Sequence, residues 1–334
     1  MRAGLLPLIP LYAAAVGVKN AGYARGWARA QRLRNPVISV GNLSVGGAGK
    51  TPLTIRLAEL LGEQGIAVDV LSRGYGRRSE RVERVDPEGS AEEFGDEPLL
   101  MARAARIPVY VGASRYAAGM LAERELPGPG VHLLDDGFQH RQLARDVDVV
   151  VVHRSDFAER LLPVGRLREP VGSLERAQIL VLREEDHALE AEVRGRGLRQ
   201  PIWWMERRLE APTAGRVVAF CAIARPEEFF DGLRGQGLQV VATRSWRDHH
   251  AYTAADLTGL VKALRAQKGA AFVTTEKDLV RLSAEQRRVL EQAAPLRTAK
   301  LVVRLRDEGA AMSQLLAMLA GLGAARGAGG AASP

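Results

Sequence analysis

The chain has 334 residues, of which 46% are hydrophobic and 26% charged, and a net charge of +8. That length exceeds one typical domain and that composition fills a core, so a disordered or fibrous chain is excluded and two domains are favoured. A single cysteine, Cys221, excludes an internal disulfide and suits a reducing compartment.

The charge is uneven. Residues 1–34 carry Arg2, Lys19, Arg25, Arg29, Arg32 and Arg34 with no Asp or Glu, which is +6 of the total. The apolar run Leu5–Val18 lies inside this segment. Only 16 residues separate Arg2 from Lys19, Pro7 and Pro10 among them, against the roughly 20 apolar residues a membrane span needs. There is no evident small-residue cleavage site of a secretory signal. An apolar start followed by an Arg-rich helix, with Tyr23 and Trp27 one turn apart, predicts a monotopic amphipathic anchor on an anionic leaflet. Arg25, Arg29 and Arg32 would share one face of that helix. The competing reading packs this helix on the protein's own core. A basic bias confined to one terminal segment, rather than spread along a groove, argues against a nucleic-acid partner.

Next, the apolar strand Val37–Gly41 runs into a glycine-rich turn, Ser44-Val45-Gly46-Gly47-Ala48-Gly49, followed by Lys50-Thr51 and the apolar helix Leu53–Leu61. Strand, turn and helix in this order form a phosphate cradle. Glycines let successive backbone N–H groups converge on an anion, and the helix adds its positive end. Lys50 would reach the β- and γ-phosphates of ATP, and the Thr51 hydroxyl would hold Mg²⁺. The strict pattern asks for glycine where Ser44 stands. The bland reading is a glycine turn beside a surface lysine.

Beyond the turn, Ala67–Ser72, Pro108–Val111, Val131–Leu134, Val147–Val152 and Ile179–Leu182 read as short buried strands alternating with helices. Such spacing predicts a doubly wound parallel sheet of the P-loop NTPase type over about 35–207. Arg183–Gln200 and the Trp203-Trp204 stretch read as a transition. Arg216–Ile223, Leu238–Thr243, Ala271–Thr275 and Lys300–Leu305, with helices near 226–236, 254–267 and 283–293, then predict a smaller α/β domain over 208–320. The Gly/Ala-rich residues 321–334 read as a disordered tail. Cys221, in an apolar strand, reads as a core residue rather than a nucleophile.

Three segments carry further chemistry. Asp135-Asp136 ends a buried strand, where a carboxylate lies beside the glycine turn and can hold Mg²⁺. Two adjacent carboxylates cannot both point the same way, so one takes the metal; a helix cap is the competing reading. Asp96, in Gly95-Asp96-Glu97-Pro98 at a helix start, is a candidate base for an acceptor hydroxyl, or only a cap. Asp248-His249-His250 places two histidines together on a chain with six. A metal site lacks partners at ligand spacing, so a histidine that supports a carboxylate base, brought in by domain closure, is the sharper reading. Arg73-Gly74-Tyr75-Gly76 and Arg166-Leu167-Arg168-Glu169 offer donors and an aromatic face to an anionic or sugar-like acceptor.

These segments together resemble the tetraacyldisaccharide 4′-kinases of lipid A biosynthesis. The likeness rests on Ser39–Gly47 with Gly49–Pro52, Leu71–Gly76, Gly95–Pro98, Asp135–His140, Leu161–Pro170, Asp248–His250 and Thr274–Asp278, in order over about 36–280. Where that family's turn often has threonine, this chain has Ala48. The resemblance implies ATP- and Mg²⁺-dependent phosphorylation of a tetraacylated glucosamine disaccharide 1-phosphate, by a peripheral monomer at the cytoplasmic face of the inner membrane. Under it, residues 44–51 bind nucleotide, Thr51 with Asp135 or Asp136 serves the metal, and Asp96 with His249 forms a base dyad beside Lys50. Arg73, Tyr75, Gln139, Arg168 and Glu169 become acceptor contacts. The rival from another class is a membrane-bound P-loop switch or targeting ATPase. A guanine-specific switch would show an Asn-Lys-x-Asp-like strand end where Val181–Asp186 stands.

Overall fold

A computed structural model describes residues 3–47, 49–212 and 215–330. Ala48, expected in the nucleotide cradle, lies outside the described residues.

The chain opens with α1 (Leu8–Ala24), then alternates strand and helix: β1 (Val37–Asn42), α2 (Lys50–Glu63), β2 (Val68–Ser72), β3 (Glu83–Arg84), α3 (Ala91–Phe94), α4 (Asp96–Ala105) and β4 (Val109–Val111). There follow α5 (Arg115–Glu125), β5 (Val131–Asp135), β6 (Val147–Val151), β7 (Ile179–Arg183), α6 (His187–Gly195) and β8 (Ile202–Glu210). A second series comprises β9 (Arg216–Cys221), α7 (Pro226–Gly235), β10 (Gln239–Ser245), α8 (Ala254–Ala266), β11 (Ala271–Thr275), α9 (Glu276–Arg281), α10 (Ala284–Ala293), β12 (Leu296–Leu305) and α11 (Glu308–Gly330).

All strands join one mostly parallel sheet, ordered β10-β9-β11-β12-β8-β7-β6-β1-β5-β2-β4-β3. The two strand series meet where β12 runs antiparallel to β8, from Lys300 opposite Glu210 to Leu305 opposite Met205. β1 is buried at every residue, between β5 and β6, because a central parallel strand is covered by helices on both faces. On one face Leu53, Leu57 and Leu61 of α2 pack against Ile38, Val40 and Leu133; on the other Leu43, Phe138, Val150 and Leu180 cluster. Each such aliphatic side chain contributes about 1.5–3 kcal/mol on burial. The second series has its own two clusters, around Phe220 and Leu260 and around Val217 and Phe230.

Three expectations change. The Trp203-Trp204 stretch is the start of the nine-residue strand β8, not a transition. Trp203 and Met205 face inward, while charged residues at 206–208 mask the alternation. At the other end, α11 is helical through Gly330, into the Gly/Ala-rich stretch for which a disordered tail was expected. At the start, the helix stops at Ala24 and Gly26 takes φ +73°, a left-handed conformation that favours glycine. Arg25, Arg29 and Arg32 therefore share no helical face.

α1 also fits neither of its two readings fully. None of its residues is buried, so it is no core helix. It is tethered by Tyr12 Oη to the Arg168 carbonyl (3.0 Å), Lys19 Nζ to the Gln139 carbonyl (3.1 Å) and Asn20 Nδ2 to Glu169 (2.9 Å). Leu8, Leu11 and Val18 remain exposed. Among the described residues no helix is long and apolar enough to cross a membrane.

Cys221 is fully buried in β9, and burial pushes its thiol up to about 12. It should therefore resist a thiol reagent in the native protein and label fully in denaturant, as mass spectrometry would show. Native labelling at the rate of a free thiol would contradict this packing.

Candidate active site

A cleft of about 1690 Å³ opens along the strand ends. One wall holds residues following β1, β2 and β5, namely Val45, Gly46, Arg73 and Asp136. The opposite wall holds Arg207 of β8, Arg225, His249 and Lys277. Ligands of open α/β sheets bind at such carboxyl ends.

The glycine turn joins β1 to α2. Gly46 has φ +112°, and a side chain there would collide with the Arg166 guanidinium. Arg166 Nε in turn donates to the Val45 carbonyl at 3.1 Å, which braces the turn. Ser44 is buried and bridges to Leu167, while Val45, Gly47, Gly49 and Thr51 line the cleft. Gly49 caps α2 without a side chain, so the first N–H groups of that helix have no side-chain acceptor. Lys50 folds back: its Nζ donates to Asn42 Oδ1 at 3.0 Å and lies 3.5 Å from Asp136.

Asp135 and Asp136 diverge because Asp136 takes φ 51°, in left-handed space. Asp135 is 2% exposed and accepts from the Thr54 hydroxyl at 3.3 Å. Burial, reinforced by the charges of Glu97 and Asp136, pushes its carboxyl up to about 7. Asp136 receives a bidentate pair from Arg168, both bonds 2.7 Å. Burial opposes its ionisation, but Lys50 and Arg168 outweigh that and hold it well below the usual range. Neither aspartate is the helix cap of the competing reading.

Asp96 opens α4, yet it caps nothing; Gly95 holds the cap position. Its Oδ2 instead receives His249 Nδ1 at 3.0 Å and Arg281 Nε at 2.6 Å. Burial works against ionisation here, but the His249 hydrogen bond and the charges of Arg281 and Lys277 prevail, so the carboxyl lies well below its ordinary value. His249 takes φ 62°, and the Tyr75 ring stands edge-on to it at 5.3 Å. Left-handed backbone at a non-glycine residue carries strain that tends to collect at functional sites. The neighbouring histidine does something else. His250 pairs with Asp256 at 2.9 Å and stacks on Trp246, which makes it structural. Among the described residues no cluster of three or more His, Cys, Asp or Glu is arranged to hold a metal.

The expected acceptor contacts divide. Arg73, Tyr75, Gln139 and Arg168 line the cleft, with Tyr75 62% exposed. Gln139 Nε2 donates to the Asn42 carbonyl at 2.9 Å, and its Oε1 is buried without a partner. Glu169 is the exception. It is 3% exposed, off the cleft wall, and bonded to Arg176 (2.9 Å) and Asn20. Its contact with Asn20 ties it to α1 instead.

Several residues in this arrangement were not assigned a role from sequence. Asn42 binds both Lys50 and Arg168 through one side-chain oxygen. Lys277 and Arg281, one helical turn apart on α9, reach Glu97 (3.1 Å) and Asp96. Their i, i+4 spacing after a buried strand was the available signal, but nothing local said which carboxylates they meet.

The model of the tetraacyldisaccharide-1-P 4′-kinase family matches residues 1–320. A tetraacyldisaccharide 4′-kinase of Koribacter versatilis is 45% identical over 325 residues, spanning 94% of this chain and 98% of the relative. The enzyme of that name from Aquifex aeolicus is 37% identical over 300 residues, 84% of this chain and 90% of its own. Among solved structures, LpxK from Aquifex aeolicus in complex with ATP superposes with a TM-score of 0.75 at 32% identity, covering 95% of this chain and 99% of that one.

Proposed function

The chain belongs to the tetraacyldisaccharide-1-P 4′-kinase family, and from that membership we infer that its cleft moves the terminal phosphoryl group of ATP to the 4′-hydroxyl of a tetraacylated glucosamine disaccharide 1-phosphate. It is a kinase with an alcohol acceptor, acting in lipid A biosynthesis. One contact carries the assignment of roles within the cleft. Asp96 from one strand series and His249 from the other meet at 3.0 Å although 153 residues apart in sequence.

In this reading the N–H groups of the glycine turn and the start of α2 cradle the nucleotide phosphates, and Lys50 leaves Asn42 to neutralise them. Asp96, kept ionised by Arg281, accepts the proton of the acceptor hydroxyl, and His249 fixes the carboxylate's direction. A weakly basic carboxylate suffices because phosphoryl transfer is loose and the proton leaves late. The Asp135 carboxylate, buried with one hydroxyl partner in the cleft that Thr51 also lines, suits a hard divalent cation, which prefers one or two carboxylates plus phosphate oxygens. Thr51 and Asp135 would hold magnesium, which when bound supplies charge neutralisation at the phosphates. Arg73, Tyr75, Gln139 and Arg168 face the acceptor.

The decisive assay supplies labelled ATP with a tetraacyldisaccharide 1-phosphate or with no acceptor. Label should enter the lipid. Phosphate release without transfer would instead favour a switch ATPase.

In the same reading α1, with Leu8, Leu11 and Val18 exposed, rests on the membrane surface that holds a four-chain lipid. Leu11→Glu with Val18→Glu, at residues 67% and 70% exposed, should cut pelleting with anionic vesicles severalfold without lowering the melting temperature. Unchanged pelleting would leave α1 a tether only.

A further inference from the structure

Beside the glycine turn, three arginines converge on one carboxylate. Glu228 of α7 takes Arg225 at 2.7 Å, Arg207 of β8 at 3.3 Å and Arg183 at 3.7 Å. The other acid within reach, Glu185, lies 3.8 Å from Arg183 on a side chain 59% exposed. His153 accepts from Arg225 at 2.8 Å and adds no negative charge.

Arg183, the last residue of β7, is 7% exposed, and its Nε and one terminal nitrogen are buried without a hydrogen-bond partner. Arg207 Nε is also unpartnered. Unused donors on a buried cation are costly, and native structures seldom retain them without a purpose. Burial, together with the charge of Arg207, holds Arg183 below its ordinary value.

All three arginines line the cleft that holds Lys50. Arg207 Cδ and Nε lie 4.0 Å from where a side chain at Gly49 would begin. Ala224, the neighbour of Arg225, comes within 3.6 Å of the corresponding point at Gly46.

We propose that Arg183, Arg207 and Arg225 form an anion subsite on the second wall of the cleft that takes the polyphosphate of the bound nucleotide. This rests on the reading of the cleft as the ATP site. Planar guanidinium forks match phosphate oxygens and leave several donors for them, which a purine or ribose would not require in triplicate. A mere latch between the two walls is a poorer fit, since one carboxylate cannot satisfy three guanidinium groups. The arrangement places positive charge on both sides of the glycine turn, Lys50 on one and the arginines on the other.

The test is calorimetric titration of the full chain with ATP, ADP and AMP. Arg207→Met and Arg225→Gln, on side chains 16% and 21% exposed, should each weaken ATP about tenfold or more, which is about 1.4 kcal/mol. ADP should weaken less, and AMP should stay within twofold. Arg183→Met should follow the same order, and if it does not fold the other two carry the test. Unchanged ATP affinity in both overturns the subsite. Equal loss of AMP and ATP also overturns it, in favour of a base or ribose contact. A wild-type chain that binds no nucleotide would defeat the ATP reading itself.

Discussion

Asp96→Asn is expected to lower kcat by about 10²-fold or more while ATP affinity stays within threefold. Asparagine keeps the volume and one acceptor for Arg281, whose side chain is 6% exposed and also pairs with Asp278 and Asp248. Asp96→Ala removes that acceptor from both Arg281 and His249, and a buried donor left without its partner costs about 1–3 kcal/mol. The asparagine variant therefore separates chemistry from stability. Single-turnover transfer measures the chemistry, thermal melting the stability, and calorimetry with ATP the nucleotide affinity. If ATP binding collapses in step with turnover, Asp96 is a binding residue. A kcat within threefold of wild type would remove it from the chemistry.

Lys50→Ala is expected to reduce transfer by about 10³-fold or more, near the background of the assay. The charge it removes is the one best placed to move between Asp136, 3.5 Å away, and incoming phosphates. The fold should survive, because Arg168 still holds Asp136 through two bonds of 2.7 Å. Activity within threefold of wild type, with an unchanged melting temperature, would sink the phosphate-cradle assignment.

Much of this site was legible in consecutive residues. Val37–Asn42 reads as a buried strand because the β-branched Val37, Ile38 and Val40 lead directly into the glycine turn before α2. Asp135 at the end of β5 and Asp96 at the start of α4 were placed by the same local patterns. The histidine pair was visible but not its division of labour. His249 and His250 have the same chemistry, and only the packing of Trp246 and Asp256 around one of them assigns the other to the cleft. Glu169 sits off the cleft for a related reason. Its neighbour Arg168 lines the cleft, and sequence adjacency does not say which of two successive side chains points inward.

The N-terminal segment shows the limit in another way. Its apolar run predicted a helix, and α1 forms there. The basic residues beyond it were fitted to the same helix, but Gly26 ends the regular backbone and the i, i+4 argument has no helix to act on.

The sequence by itself determined the order of strands and helices, the glycine turn and the family, because periodicity, turn chemistry and motif spacing are properties of neighbouring residues. Only the tertiary structure decided that β12 pairs antiparallel with β8 and so joins the two series in one sheet. That pairing sets α9 against α4, bringing Arg281 to Asp96 across 185 residues, and His249 meets the same carboxylate oxygen. Contacts of that separation depend on how sheet edges are matched and loops are closed, and no local pattern encodes them.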